Sequence, residues 1–181
     1  MSADDVIEVR QLDVGELDLI RDIDRTERIE SLYTQRGARL ELRTGDWSAP
    51  PWDPAGVGEH SIAGQQVALE RLVDAGATAL GAFDGNRLVG IGVVVTHLRP
   101  GIAQLAYLHV TDGYRARGVG GRLSDELEGI ARDAGDTSIV VSATPSFNTV
   151  GFYQRRGFRP VEPLPELYEL EPDDIHMLKE L

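Results

Sequence analysis

The chain has 181 residues, 41% of them apolar, enough to bury one core unaided; with no cysteine it excludes a disulfide framework, a thiol nucleophile and a cysteine-ligated zinc. Acidic residues outnumber basic ones 30 to 18, a formal net charge of -12, which disfavours nucleic acid and anionic membrane surfaces as partners and tolerates a cationic small molecule better. The longest apolar run, residues 88–95, is far too short for a membrane span, and the opening Met1-Ser-Ala-Asp-Asp is neither basic nor apolar, so a cytoplasmic location is expected.

No repeat, low-complexity tract or linker divides the chain, so one domain is expected over residues 1–181. Residues 7–12 alternate as a strand does, and residues 14–32 read as a helix on the spacing of Leu17, Ile20 and Ile23. Residues 39–43 alternate again, and residues 44–58, with three prolines and both tryptophans, read as a loop. Ile62, Leu69, Leu72 and Val73 share a helical face over residues 61–75. Strands 79–83 and 88–96 then flank the turn Asp84-Gly85-Asn86, and the second arm is apolar enough to be covered on both faces. Residues 102–110 form a strand candidate. Residues 118–134 carry Val119, Leu123, Leu127, Ile130 and Ala134 on one stripe, the clearest helix of the chain. Residues 138–143 read as a short buried strand and 148–156 as a helix closed by Gly157; strands 158–161 and 175–181 bracket an acidic loop.

Chemistry concentrates at residues 108–121, where a strand passes through a basic, glycine-rich loop into an amphipathic helix. A helix start leaves backbone N–H groups unpaired and carries partial positive charge, and glycines let a pyrophosphate come close. Arg115 and Arg117 add charge. Neither the GxGxxG pattern nor the P-loop ending is present. By itself the segment is also compatible with a plain glycine-rich turn.

With its surroundings, this segment resembles the GNAT superfamily of N-acetyltransferases. Their acetyl-CoA loop, Q/RxxGxG/A, is matched by Arg115, Gly118 and Gly120; the next family region is matched by Asn148, Phe152-Tyr153 and Gly157-Phe158, in order. The resemblance covers about residues 78–181, with residues 1–77 as the part that shapes the acceptor site. It implies an α/β (mixed α+β) fold: a central mixed, mostly antiparallel, twisted sheet of about six or seven strands flanked by about four helices. It also implies acetyl-CoA as the cofactor. The pantetheine arm pairs with Leu108, His109 and Val110; the pyrophosphate sits on the amides of Arg115, Ala116, Arg117, Gly118, Val119, Gly120 and Gly121, with Asn148 and Tyr153 completing the site. A backbone amide near Leu108 would steady the oxyanion.

Transfer to an amine requires a proton to leave the amine and another to reach the departing thiolate. Tyr153 holds the family's general-acid position. The family's glutamate on the strand before the loop corresponds here to Gln104, which cannot accept a proton; His109, Glu41, the acidic loop or a chain of waters are the alternatives for the base. Trp47 and Trp52, with Glu41, are candidates for the acceptor pocket. Asp46, Asp53, Glu59 and the run Glu162, Glu166, Glu169, Glu171, Asp173 and Asp174 are solvated acids that also attract cations. His60, His97 and His176 are scattered, and no metal site is expected. The expected activity is acetylation of a small-molecule primary amine, with a homodimer compatible; a peptide or protein amine, or a non-catalytic acyl-CoA-binding or partner-binding module of the same fold, are the competing readings.

Overall fold

The computed structural model describes residues 7–170 and 172–181; Met1 to Val6 and Glu171 lie outside the described residues. Strand β1 (Glu8–Gln11) leads into a 3-10 helix, Val14–Asp22, whose start is fixed by Glu16 accepting from the Asp13 amide at 3.0 Å. The helix expected to continue to residue 32 stops there. Asp24 accepts from the Thr26 amide at 2.9 Å, turning the chain, and Glu27–Arg36 forms strand β2. Strand β3 (Arg39–Ala49) returns against it, with Ile29 opposite Trp47 and Tyr33 opposite Leu42. Residues 44–49, expected as loop, are therefore strand, because cross-strand pairing overrides local composition until Pro50 and Pro51 end the ladder.

Helix α1 (Ile62–Asp74) begins where the Ser61 hydroxyl accepts from the Gly64 amide at 3.0 Å. Strands β4 (Thr78–Asp84), β5 (Arg87–Arg99) and β6 (Ile102–Val110) form an antiparallel meander. Helix α2 (Val119–Asp133), strand β7 (Ser138–Ala143), helix α3 (Phe147–Arg155), the short strand β8 (Arg159–Pro160), the one-turn helix α4 (Pro165–Tyr168) and strand β9 (Ile175–Glu180) follow. The helix expected over residues 148–156 begins one residue earlier, at Phe147, because Ser146 is the cap, accepting from the Thr149 amide at 3.2 Å; Asn148 lies in its first turn.

The main sheet has the order β1-β4-β5-β6-β7-β9-β8, and only its β6/β7 pair is parallel. The hairpin of β2 and β3 stands apart as a two-stranded sheet. One face of the main sheet buries Val119, Leu123 and Leu127 of α2 with Val150 and Tyr153 of α3; the other buries Leu17 and Ile20 of the 3-10 helix, Leu69 of α1, and Trp52. Gly90 and Gly92 on β5 let α2 lie close: a Cβ there would stand 2.8 Å from Val119 and 2.6 Å from Leu127.

The hairpin is fastened to the carboxyl-terminal strands. The Gln35 side-chain amide donates to the carbonyls of Val161 (2.8 Å) and His176 (3.2 Å), and its carbonyl accepts from the His176 amide at 2.7 Å. The Tyr33 amide donates to the Pro145 carbonyl at 2.8 Å. The buried Glu128 carboxylate ties α2 to α3 and β9, accepting from Ser124 and meeting Lys179 (2.6 Å), Arg132 (3.4 Å) and Arg156 (3.6 Å). Among the described residues no helix is long and apolar enough to cross a membrane, and no cluster of His, Cys, Asp and Glu could hold a metal ion.

Candidate active site

Strand β7 accompanies β6 only along Ile102, Ala103 and Gln104; beyond them the two strands part. The opening coincides with a bulge on β6: Val93 faces Tyr107 and Val94 faces Leu105, leaving Ala106 unpaired. The Thr111 amide donates to the Val89 carbonyl at 3.0 Å, which fixes the phase of the β5/β6 ladder: Tyr107 and His109 bond toward β5, and the backbone groups of Leu108 and Val110 turn into the opening. A slot through the sheet follows, edged by unpaired main-chain donors and acceptors.

Past the slot the chain makes a tight loop. The Tyr114 hydroxyl donates to Asp84 at 2.5 Å, Arg117 lies over the Tyr114 ring at 4.6 Å, and Arg115–Arg117 form a single 3-10 turn. Gly118 then takes φ 78°, a left-handed conformation costly for residues with a Cβ, and α2 begins at Val119 with no side chain capping it. The amides of Val119, Gly120 and Gly121 are left for an anion, with Val110 and Phe152 beside Gly120.

Arg115, expected to add charge for a phosphate, bonds inward instead. Its guanidinium donates to the carbonyls of Val110 (3.2 Å), Thr26 (2.8 Å) and Asp24 (3.3 Å). The Asp24 amide donates to the Thr111 hydroxyl at 2.8 Å, and the Asp112 amide donates to the Asp24 carbonyl at 2.9 Å. The loop is thereby stitched to residues 24–26, from which β2 springs.

The two catalytic candidates lie on opposite faces of the slot. Tyr153 is buried on the α2 side with Leu108 and Val110, its ring edge-on to Phe152 at 5.1 Å and Phe158 at 5.2 Å. Its hydroxyl donates to no protein acceptor among the described residues. Burial first, and Asp174 after it, raise its pKa above the ordinary tyrosine value, while Arg156 opposes the shift; the phenol stays protonated. His109 points to the other face, packed against Trp52 (5.2 Å) and Tyr107 (4.7 Å). Burial, followed by the charges of Arg25 and Arg115, lowers its pKa to about 4, so the imidazole is neutral at pH 7. Gln104 pairs with Val140 at the closed end of the slot.

The acceptor candidates do not form one cluster. Trp52 is buried against His109; Trp47, on β3, lines a cavity; Glu41 points outward toward Arg36 at 3.5 Å. Asn148 donates to Glu27 at 3.3 Å beside a smaller hollow of about 420 Å³. The cavity at Trp47 measures about 730 Å³ and opens between the hairpin and residues 162–174. Tyr33 and Tyr168 join Trp47 on its walls, and Arg43, Glu162, Asp173 and Asp174 supply its charges. Sequence reasoning identified the acidic run and Trp47 separately; their meeting depends on the Gln35 clamp, which carries no local signal.

The sequence matches the profile of the acetyltransferase (GNAT) domain over residues 52–180. No curated protein matches the chain in sequence. Among solved structures, nourseothricin acetyltransferase is 15% identical with a TM-score of 0.73, over 96% of this chain and 98% of that one. The PaiA N-acetyltransferase from Thermoplasma acidophilum, in complex with coenzyme A, is 19% identical (TM-score 0.63, 97% of this chain and 99% of that one). An aminoglycoside 6'-N-acetyltransferase complexed with coenzyme A is 20% identical (TM-score 0.55, 64% and 79%). At these identities the likeness is one of fold.

Proposed function

The chain belongs to the GNAT acetyltransferase family, and on that premise we propose that it transfers the acetyl group of acetyl-CoA to a primary amine of a small molecule. The observation that carries this reading is the slot at Ala106: the outward-turned backbone of Leu108 and Val110 lies in line with the uncapped start of α2. An extended amide-bearing arm adds to such an edge as a strand does, and a pyrophosphate suits the amides of Val119 to Gly121. The residues present thus fit acetyl-CoA, which supplies the activated acyl group. Residues 78–181 form the part that holds it, and residues 1–77 the part that shapes the acceptor site.

The Leu108 amide donates to the oxygen on which negative charge develops as the amine nitrogen bonds the acyl carbon. As the carbon–sulfur bond breaks, Tyr153 gives its proton to the thiolate. Its raised pKa keeps that proton in place at neutral pH, and its side of the slot is the one toward α2. His109, on the opposite side, receives the amine's proton directly or through water. Its burial keeps the imidazole neutral at pH 7, with a lone pair to accept a proton.

Calorimetry with acetyl-CoA, followed by CoA release with a panel of amines, tests the proposal. Micromolar binding with amine-dependent release is expected. Binding without release from any amine would assign the chain to the non-catalytic modules, and no binding would refute the reading.

A further inference from the structure

Resting on the acetyltransferase reading, we propose that the cavity between the β2–β3 hairpin and residues 162–174 is the acceptor's second subsite, and that the acceptor is an organic polycation. Such a molecule presents one amine to the slot and carries a further ammonium or guanidinium into the cavity. At about 730 Å³ the cavity holds a drug-sized scaffold, far more than a reacting amine alone requires. It lies at the carboxyl end of β7, since Pro145 and His176 line it and His176 pairs with Ser142 of that strand; the slot runs along the β6 side of the same strand. The two thus flank the same strand, and the acceptor bridges them.

The walls specify the chemistry. Tyr33, Trp47 and Tyr168 offer aromatic surface, to whose faces cations and carbon skeletons adhere. Among the described lining residues, the acids Glu162, Asp173 and Asp174 outnumber the one arginine, Arg43. The cavity is also preformed. Gln35 bolts the hairpin to β9, and Arg99 holds Glu166 of α4 by paired bonds of 2.6 Å, fixing the segment that carries the acids. Asp174 lies close enough to Tyr153 to act on its phenol, which links the cavity to the catalytic side chain.

The test compares polycations with matched monocations, spermidine against pentylamine and neamine against glucosamine, by calorimetry without acetyl-CoA and by CoA release with it. The polycations are expected to bind and react with kcat/KM about tenfold or more above their partners, the advantage shrinking with salt. The variant Glu162→Gln/Asp173→Asn/Asp174→Asn is expected to erase that advantage through KM, leaving acetyl-CoA affinity unchanged. Equal turnover of both classes, or an advantage that survives the triple variant, would overturn the subsite while leaving the transferase reading intact. Polycation binding lost in the variant would support the subsite even without turnover. Absence of both polycation and acetyl-CoA binding would remove both readings together.

Discussion

Replacing Tyr153 with Phe deletes one hydroxyl and leaves the ring between Phe152 and Phe158. Because that hydroxyl bonds to no other described residue, the fold loses no internal hydrogen bond, and stability should change by less than about 1 kcal/mol. For a chain of this length that is a shift of about 2–4 °C in Tm at most. The reaction, by contrast, loses its proton donor. General acid catalysis contributes about a hundredfold to ten-thousandfold, or about 3–5 kcal/mol of barrier. The assay is CoA release followed with a thiol reagent from about pH 6 to 9, beside calorimetric titration of acetyl-CoA. Since burial raises the phenol's pKa, the wild-type enzyme should show no loss of kcat from Tyr153 ionisation in that window. Tyr153→Phe should lower kcat about a hundredfold or more with acetyl-CoA affinity kept. A kcat within about threefold of wild type across the whole pH range would refute the acid role.

Three further outcomes follow from the same geometry. Arg115→Ala should raise KM for the acceptor about threefold to tenfold and weaken acetyl-CoA binding, because loop and hairpin lose a shared anchor; Arg115→Lys should not restore either, since a point ammonium cannot serve three carbonyls as a planar fork does. Full rescue by Lys in steady-state kinetics would contradict this. Glu128→Gln leaves Lys179 and Arg156, only 20% and 17% exposed, without their shared counter-charge, at a cost of about 2–4 kcal/mol. Calorimetric melting should show Tm lower by about 5–15 °C, and a drop under about 2 °C would count against the network. His109 titrates near 4 folded and near 6.5 unfolded, so as pH falls through that interval the unfolded chain takes up the proton first and stability is lost, by about 3 kcal/mol at most. Denaturant melts of His109→Gln from about pH 4 to 7 should show a flatter acid limb than wild type, and coincident limbs would exclude the shift.

Local signals carried much of this protein into view. The stripe of Val119, Leu123 and Leu127 specified α2 through helical periodicity, the turn at Asp84-Gly85-Asn86 specified the β4–β5 hairpin, and the glycines after Arg115 marked the loop in which Gly118 takes its left-handed turn. Asn148, Phe152-Tyr153 and Gly157-Phe158 then pointed to the family, because their order and spacing match its second motif. What local pattern could not decide was long range. The spacing of Leu17, Ile20 and Ile23 was extended through Leu32, yet β2 is a strand because β3 offers it a partner. Arg115 bonds to residues about ninety positions away, and the cavity exists because Gln35 clasps His176 across the fold. The sharpest case is His109. Strict alternation from Ala103 and Leu105 would put His109 on their face of the sheet, but the unpaired Ala106 reverses the phase, giving Leu108 and Val110 to the α2 side and His109 to Trp52. A bulge arises from how two strands register, an interaction between distant segments, so the sequence named candidate residues and tertiary pairing decided which face of the sheet each one takes.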